Sequence, residues 1–93
     1  MNRDSKIRRN PNVVARQLAE GEGGVLLHVE SGAYHGTNAV GLVIWELMDR
    51  ERTVAELIDG VGHRVDGAPP QLEHDILAFL ESALERDLIL VVE

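Results

Sequence analysis

Residues 31–49 read Ser-Gly-Ala-Tyr-His-Gly-Thr-Asn-Ala-Val-Gly-Leu-Val-Ile-Trp-Glu-Leu-Met-Asp, and within them the apolar period changes from two to about 3.6. Ser31-Gly32 has turn character, so Ala33, Tyr34 and His35 are expected to form a very short strand entered from a two-residue hairpin turn. Thr37 or Asn38 then offers a side-chain oxygen to an orphan N–H of a following helix. Within residues 39–48, Val40, Val43, Ile44, Leu47 and Met48 form one stripe, with Leu42 and Trp45 on the opposite side. A helix that is apolar on both sides is buried on both sides. Gly41 costs up to about 1 kcal/mol of helix propensity, and close packing against a neighbouring backbone is the expected compensation.

Working outward, residues 13–18 open with two valines and suit a first strand, and residues 20–24 are glycine-rich enough to reverse the chain. Residues 25–30 alternate, Val25, Leu27 and Val29 against Leu26, His28 and Glu30, which is the pattern of a half-buried strand. Downstream, Thr53-Val54-Ala55-Glu56 is a capping box, followed by Val54, Leu57, Ile58, Val61 and Val65 at helical spacing. Residues 66–70 break that helix, and Pro70 suits the start of the next because it needs no N–H donor there. A third helix over residues 71–86 and a short apolar tail, either a strand or an extended piece, complete the chain. The expected fold is α+β and winged-helix-like, a three-stranded antiparallel meander followed by a three-helix bundle. Residues 1–12 are expected to be a flexible basic arm and residues 13–93 the folded domain.

Composition narrows the function. Tyr34, Trp45 and Phe79 are the only aromatic residues among 93, so the core is mostly aliphatic. Cysteine is absent, which excludes disulfides, thiolate metal sites and a cysteine nucleophile. No apolar run reaches the ~18 residues of a membrane span, and no apolar h-region follows the polar start, so the expected location is cytoplasmic. Residues 1–20 hold five basic side chains against two acids; residues 21–93 hold four arginines against fourteen acids, for a net charge of −7. Such a body repels nucleic acid.

The third helix carries more apolar surface than one core contact needs. At roughly 100° per residue, Leu72, Ile76, Phe79 and Ala83 cluster in one row, and Leu77, Leu80 and Leu84 in another. Either both rows are buried, or one faces a groove beside the third strand. If the groove exists, the first row is its expected apolar wall, with Asp75 at the rim. The outer edge of Ala33, Tyr34 and His35 then offers unpaired main-chain groups to an added strand.

These pieces resemble the PqqD-like family, also called RiPP recognition elements, which hold leader peptides of ribosomally made natural products. The resemblance runs over about residues 11–92. It is carried by Leu26-Leu27, Gly32-Ala33-Tyr34-His35, Asn38, Ile44-Trp45-Glu46-Leu47, Thr53-Val54-Ala55-Glu56-Leu57, Phe79-Leu80, Leu84 and Leu88 in order. It implies a leader peptide bound as an extra strand between the third strand and the third helix. For a free-standing domain of this size, it further implies a separate leader protease and a ring-closing synthetase of lasso-peptide type as partners. Partnership with a radical enzyme in PQQ biosynthesis is the alternative within the family. Two departures stand out. Asp49-Arg50-Glu51-Arg52 occupies a position where glycine is common, and His35-Gly36-Thr37 stands where a larger apolar residue is usual, which alters the pocket beside the groove.

Other classes fit less well. A DNA-reading helix carries Lys or Arg toward phosphates, whereas the third helix sets Glu73, Asp75, Glu81, Glu85 and Asp87 around Arg86 alone. His28, His35, His63 and His74 lack paired metal-ligand spacing, and no phosphate loop or nucleophile motif is present. The expectation is therefore no catalysis, no metal and no cofactor. A purely structural subunit, with the groove filled permanently by a partner protein, is not separable from leader binding by sequence.

Overall fold

Alternating apolar residues and turn signals build two small antiparallel sheets around three helices. The computed structural model describes residues 2–19, 22–64 and 70–92. In chain order the elements are β1 (Lys6–Arg9), β2 (Val13–Gln17), β3 (Gly24–His28), β4 (Tyr34–Thr37), α1 (Ala39–Leu47), β5 (Arg52–Thr53), α2 (Val54–Arg64), α3 (Leu72–Glu85) and β6 (Ile89–Val92). One sheet has the order β2-β3-β4 and the other β5-β1-β6. The α+β fold with its antiparallel meander and three helices is as expected; the second sheet is an addition. Glu20, Gly21, Val65 and the Asp66 to Pro69 part of the expected break lie outside the described residues.

The meander differs in detail from its sequence reading. Its second hairpin closes through His28 N–H to Ala33 C=O at 3.0 Å and Gly32 N–H to His28 C=O at 2.8 Å. The loop is therefore four residues long, with Gly32 at φ 74° supplying the left-handed step. Val29 and Glu30 belong to that loop, and β4 shifts forward to end at Thr37. Pairing of Leu26 with His35 and of Leu27 with Tyr34 sets the register. Leu26 and His28 point into the core, while Val14, Leu27 and Tyr34 share the outer face.

The expectation of a flexible arm is corrected: residues 2–12 belong to the fold. β1 is the central strand of the second sheet, with β6 on one side and β5 on the other, and Ile7 is 0% exposed. The carbonyls of Arg3 and Ser5 accept the N–H groups of Ala55 and Val54, both at 3.0 Å, and so cap α2. Arg3 pairs with Glu73. The Arg9 guanidinium lies 5.2 Å from the Trp45 ring centroid and donates to the Trp45 carbonyl at 2.9 and 2.6 Å, beside the Met48 N–H that the same carbonyl accepts at the end of α1. The basic side chains thus tie β1 to the helices. A strand with one apolar residue shows no alternation, so its pattern resembles a solvated tail.

The helices form where expected. Asn38 is the cap of α1, its Oδ1 accepting from Gly41 N–H at 2.8 Å. Gly41, Leu42, Ile44 and Trp45 of α1 are buried, and Val40, Val43 and Leu47 pack against the core, so α1 is enclosed on both sides. The capping box of α2 closes reciprocally: Thr53 N–H donates to Glu56 Oε1 at 2.9 Å, and Glu56 N–H to Thr53 Oγ1 at 3.1 Å. The bond from the Thr53 backbone holds the Glu56 carboxyl below its usual range. Helix α3 begins at Leu72, with Pro70 in the preceding turn, and ends in a Schellman arrangement. There Leu88 N–H donates to Ala83 C=O and Asp87 N–H to Leu84 C=O, with Asp87 at φ 61°. Asp87 occupies a conformation that glycine usually takes. Its carboxylate lies 3.1 Å from Nε2 of buried His28, and its carbonyl accepts from Asn10 Nδ2 at 2.8 Å. One residue so links β3, the β1–β2 turn and the end of α3.

Candidate functional site

Strand β4 pairs with β3 alone among the described residues. In an antiparallel pair, successive residues alternate between bonding the partner and facing away. Since Ala33 C=O accepts from His28 N–H, His35 and Thr37 also turn their main-chain groups toward β3. The N–H and C=O groups of Tyr34 and Gly36 therefore face the open edge. Such an edge is a template for another strand.

A hollow of about 400 Å³ begins where β4 ends, between α1 and α3, and is lined by Asn38, Val40, Gly41, Leu72, Asp75 and Phe79 among others. Phe79 is half-buried and packs on the core while forming the floor. Gly41 makes this possible: a Cβ there would lie 2.9 Å from Phe79 Cε2, closer than van der Waals contact allows. The close packing expected for this glycine is real, but the atoms it makes room for belong to side chains, Thr37 Oγ1 and the Phe79 ring, not to a backbone.

The helix turn explains which residues of α3 reach the groove. Leu72, Ile76, Leu80 and Ala83 are the buried face. About 85° round lie Asp75, Phe79, Ser82 and Arg86, and this stripe lines the hollow through Asp75 and Phe79. At its far end Arg86 approaches His35, with 3.5 Å between Arg86 Nη1 and His35 Nδ1.

The residues expected at the site are consequently divided. Tyr34 contributes its backbone to the open edge, but its side chain, 72% exposed, points away from α3 onto the outer sheet face. His35 has the opposite arrangement, its main chain turned to β3 and its side chain toward α3. Ala33 directs its carbonyl to β3 and lies in the hairpin closure. Leu72, Asp75 and Phe79 line the hollow as expected. Ile76 and Ala83, 0% and 2% exposed, belong to the core; their place in the wall is corrected, because the row's centre points at the core and only its edge at the groove. Sequence reasoning missed Gly36, Val40 and Arg86. The 75, 79, 82, 86 spacing was available as a second helical stripe, but its polar ends hid it beside a more apolar row.

A larger hollow, about 740 Å³, lies on the outer face of the β2-β3-β4 sheet, lined by Val14, Arg16, Leu18, Val25, Leu27 and Tyr34. It covers the broad face of the sheet, where the β3 main chain is paired on both sides, so it lacks the strand template that borders the smaller hollow. Among the described residues there is no cluster of three or more His, Asp or Glu suited to a metal ion. Among them, no helix is long and apolar enough to cross a membrane.

Comparison with known proteins agrees with this architecture. Residues 23–89 match the family of coenzyme PQQ synthesis protein D (PqqD), and the chain belongs to that family. Two solved structures share the fold. TbiB1 in complex with the TbiA(beta) leader peptide is 28% identical with a TM-score of 0.71, over 88% of this chain and 93% of that one. Lasso peptide synthetase B1 complexed with the leader peptide is 26% identical with a TM-score of 0.67, over 90% of this chain and 96% of that one. No curated protein matches.

Proposed function

We propose that this chain is a non-catalytic recognition domain that binds the leader of a precursor peptide by adding it as a strand to β4. The observation that carries the reading is the open edge at Tyr34 and Gly36 running into the apolar hollow of α1 and α3. The same fold in two leader-peptide complexes supports it. Main-chain bonds at the edge fix the guest's geometry, and the Phe79 floor accepts an apolar side chain. A disordered leader loses roughly 2–5 kcal/mol in ordering, which a preformed groove with one or two apolar anchors offsets. The bound leader is then presented, in the cytoplasm, to a leader protease and a ring-closing synthetase of lasso-peptide type. The family match favours one second reading, partnership with a radical enzyme in PQQ biosynthesis.

The test is fluorescence polarisation with the labelled leader of the short precursor peptide encoded beside this gene, against a scrambled control. Saturable binding of the leader alone supports the recognition role. A folded protein that ignores it is a structural or partner-dependent subunit, and the groove assignment falls.

A further inference from the structure

Opposite charges stand at the two ends of the α3 stripe that carries Phe79. Asp75 lines the hollow beside Asn38, next to the end of β4. Arg86 stands at the other end, against His35. Both are exposed, and neither is in an ion pair among the described residues. Between them on the same stripe lie Phe79 and Ser82, which are uncharged. The nearby acid Glu73 is already held by Arg3.

We infer that this polarity selects the order of charges along the guest peptide: a basic residue first and an acidic one about five residues later. The inference rests on strand addition at β4. Asp75 and Arg86 are about 16 Å apart along the helix at 1.5 Å per residue, and an extended strand covers that span in about five residues. Antiparallel pairing is the more stable arrangement, and such a guest passes Asn38 before His35. It meets the carboxylate with its N-terminal part and the guanidinium with its C-terminal part. A guest with the reverse order places like charges together at both ends. Each charge also complements the dipole of α3, with the acid near its N-terminus and the base near its C-terminus. Guest order, not protein stability, is therefore the discriminating readout.

The experiment uses the labelled leader and two synthetic variants of it, with Lys and Glu five residues apart across the β4-binding segment in either order. The Lys-first peptide should bind roughly fivefold tighter than the Glu-first peptide at low ionic strength. The difference should vanish in high salt, where charges are screened within a few ångströms. In the double variant Asp75→Lys, Arg86→Glu the preference should invert, and in Asp75→Asn, Arg86→Gln it should be lost; thermal melts verify that both fold. Equal affinities for the two orders, a Glu-first preference in the wild type, or an unchanged preference in the double variant would overturn the inference while leaving leader binding intact. If neither the leader nor either variant binds to folded protein, leader recognition itself fails, and the charge order with it.

Discussion

The two three-stranded sheets use similar strands for different ends. In β5-β1-β6 the central strand comes from the N-terminus, and Ile7 and Ile89 are both fully buried. Arg9 of that strand bonds the end of α1, and Arg3 just before it pairs with Glu73 of α3. In β2-β3-β4 the central strand buries Gly24, Leu26 and His28, while Val14 and Tyr34 are exposed on its outer face and β4 keeps an open edge. A small domain has few apolar residues to invest. Here one sheet completes the core, and the other holds a main-chain edge available to a guest. The two central strands differ in what covers them as well as in composition, KIRR against GVLLH.

The largest effect should come from the closed sheet. Ile7→Ala removes a fully buried side chain from a central strand and is expected to cost about 2–5 kcal/mol, read by urea unfolding. A loss below 1 kcal/mol would mean that β1 is peripheral after all, and the contrast between the sheets would collapse. Next comes the open edge. Gly36→Pro removes an N–H that faces away from β3, and proline is tolerated on edge strands. Leader affinity should fall about fivefold, the equivalent of one net main-chain bond of about 1 kcal/mol, with thermal stability nearly unchanged. Equal affinity would move the guest off β4.

Smaller effects sharpen the picture around β5, where the closed sheet runs into α2. Thr53→Ala opens the capping box and should cost about 1 kcal/mol without altering leader affinity, since Thr53 is remote from the groove. The weakest signal is the pH dependence of Glu56. Its pKa is lowered in the folded protein, so its stabilisation is complete above the ordinary carboxylate value of about 4.3 and is lost as pH falls through the lower folded value. The stability gap between wild type and Glu56→Gln should accordingly narrow in acid; a gap constant between pH 3 and 6 would show that the carboxylate is not the capping acceptor.

Legibility followed periodicity. The strands of the meander were readable from alternation and turn residues, and the three helices, the Thr53–Glu56 box and the cap at Thr37 or Asn38 because each depends on neighbours within four residues. Leu72, Asp75 and Phe79 line the hollow between α1 and α3, whereas Ile76 and Ala83 fall in the core, a fraction of a helix turn away. A helical wheel orders residues around an axis but does not orient that axis in space; only the packing of α3 against Ile44 and Ile89 does so.

The sequence by itself determined the local elements, the α+β class and the absence of thiol chemistry, because propensity, capping and alternation are short-range physics. Tertiary structure alone decided that residues 6–9 are a central strand, that Phe79 rests on Gly41, and that Arg86 meets His35 while Asp75 lines the hollow. Those facts depend on contacts between residues tens of positions apart, where no sequence period survives and burial is set by the whole core.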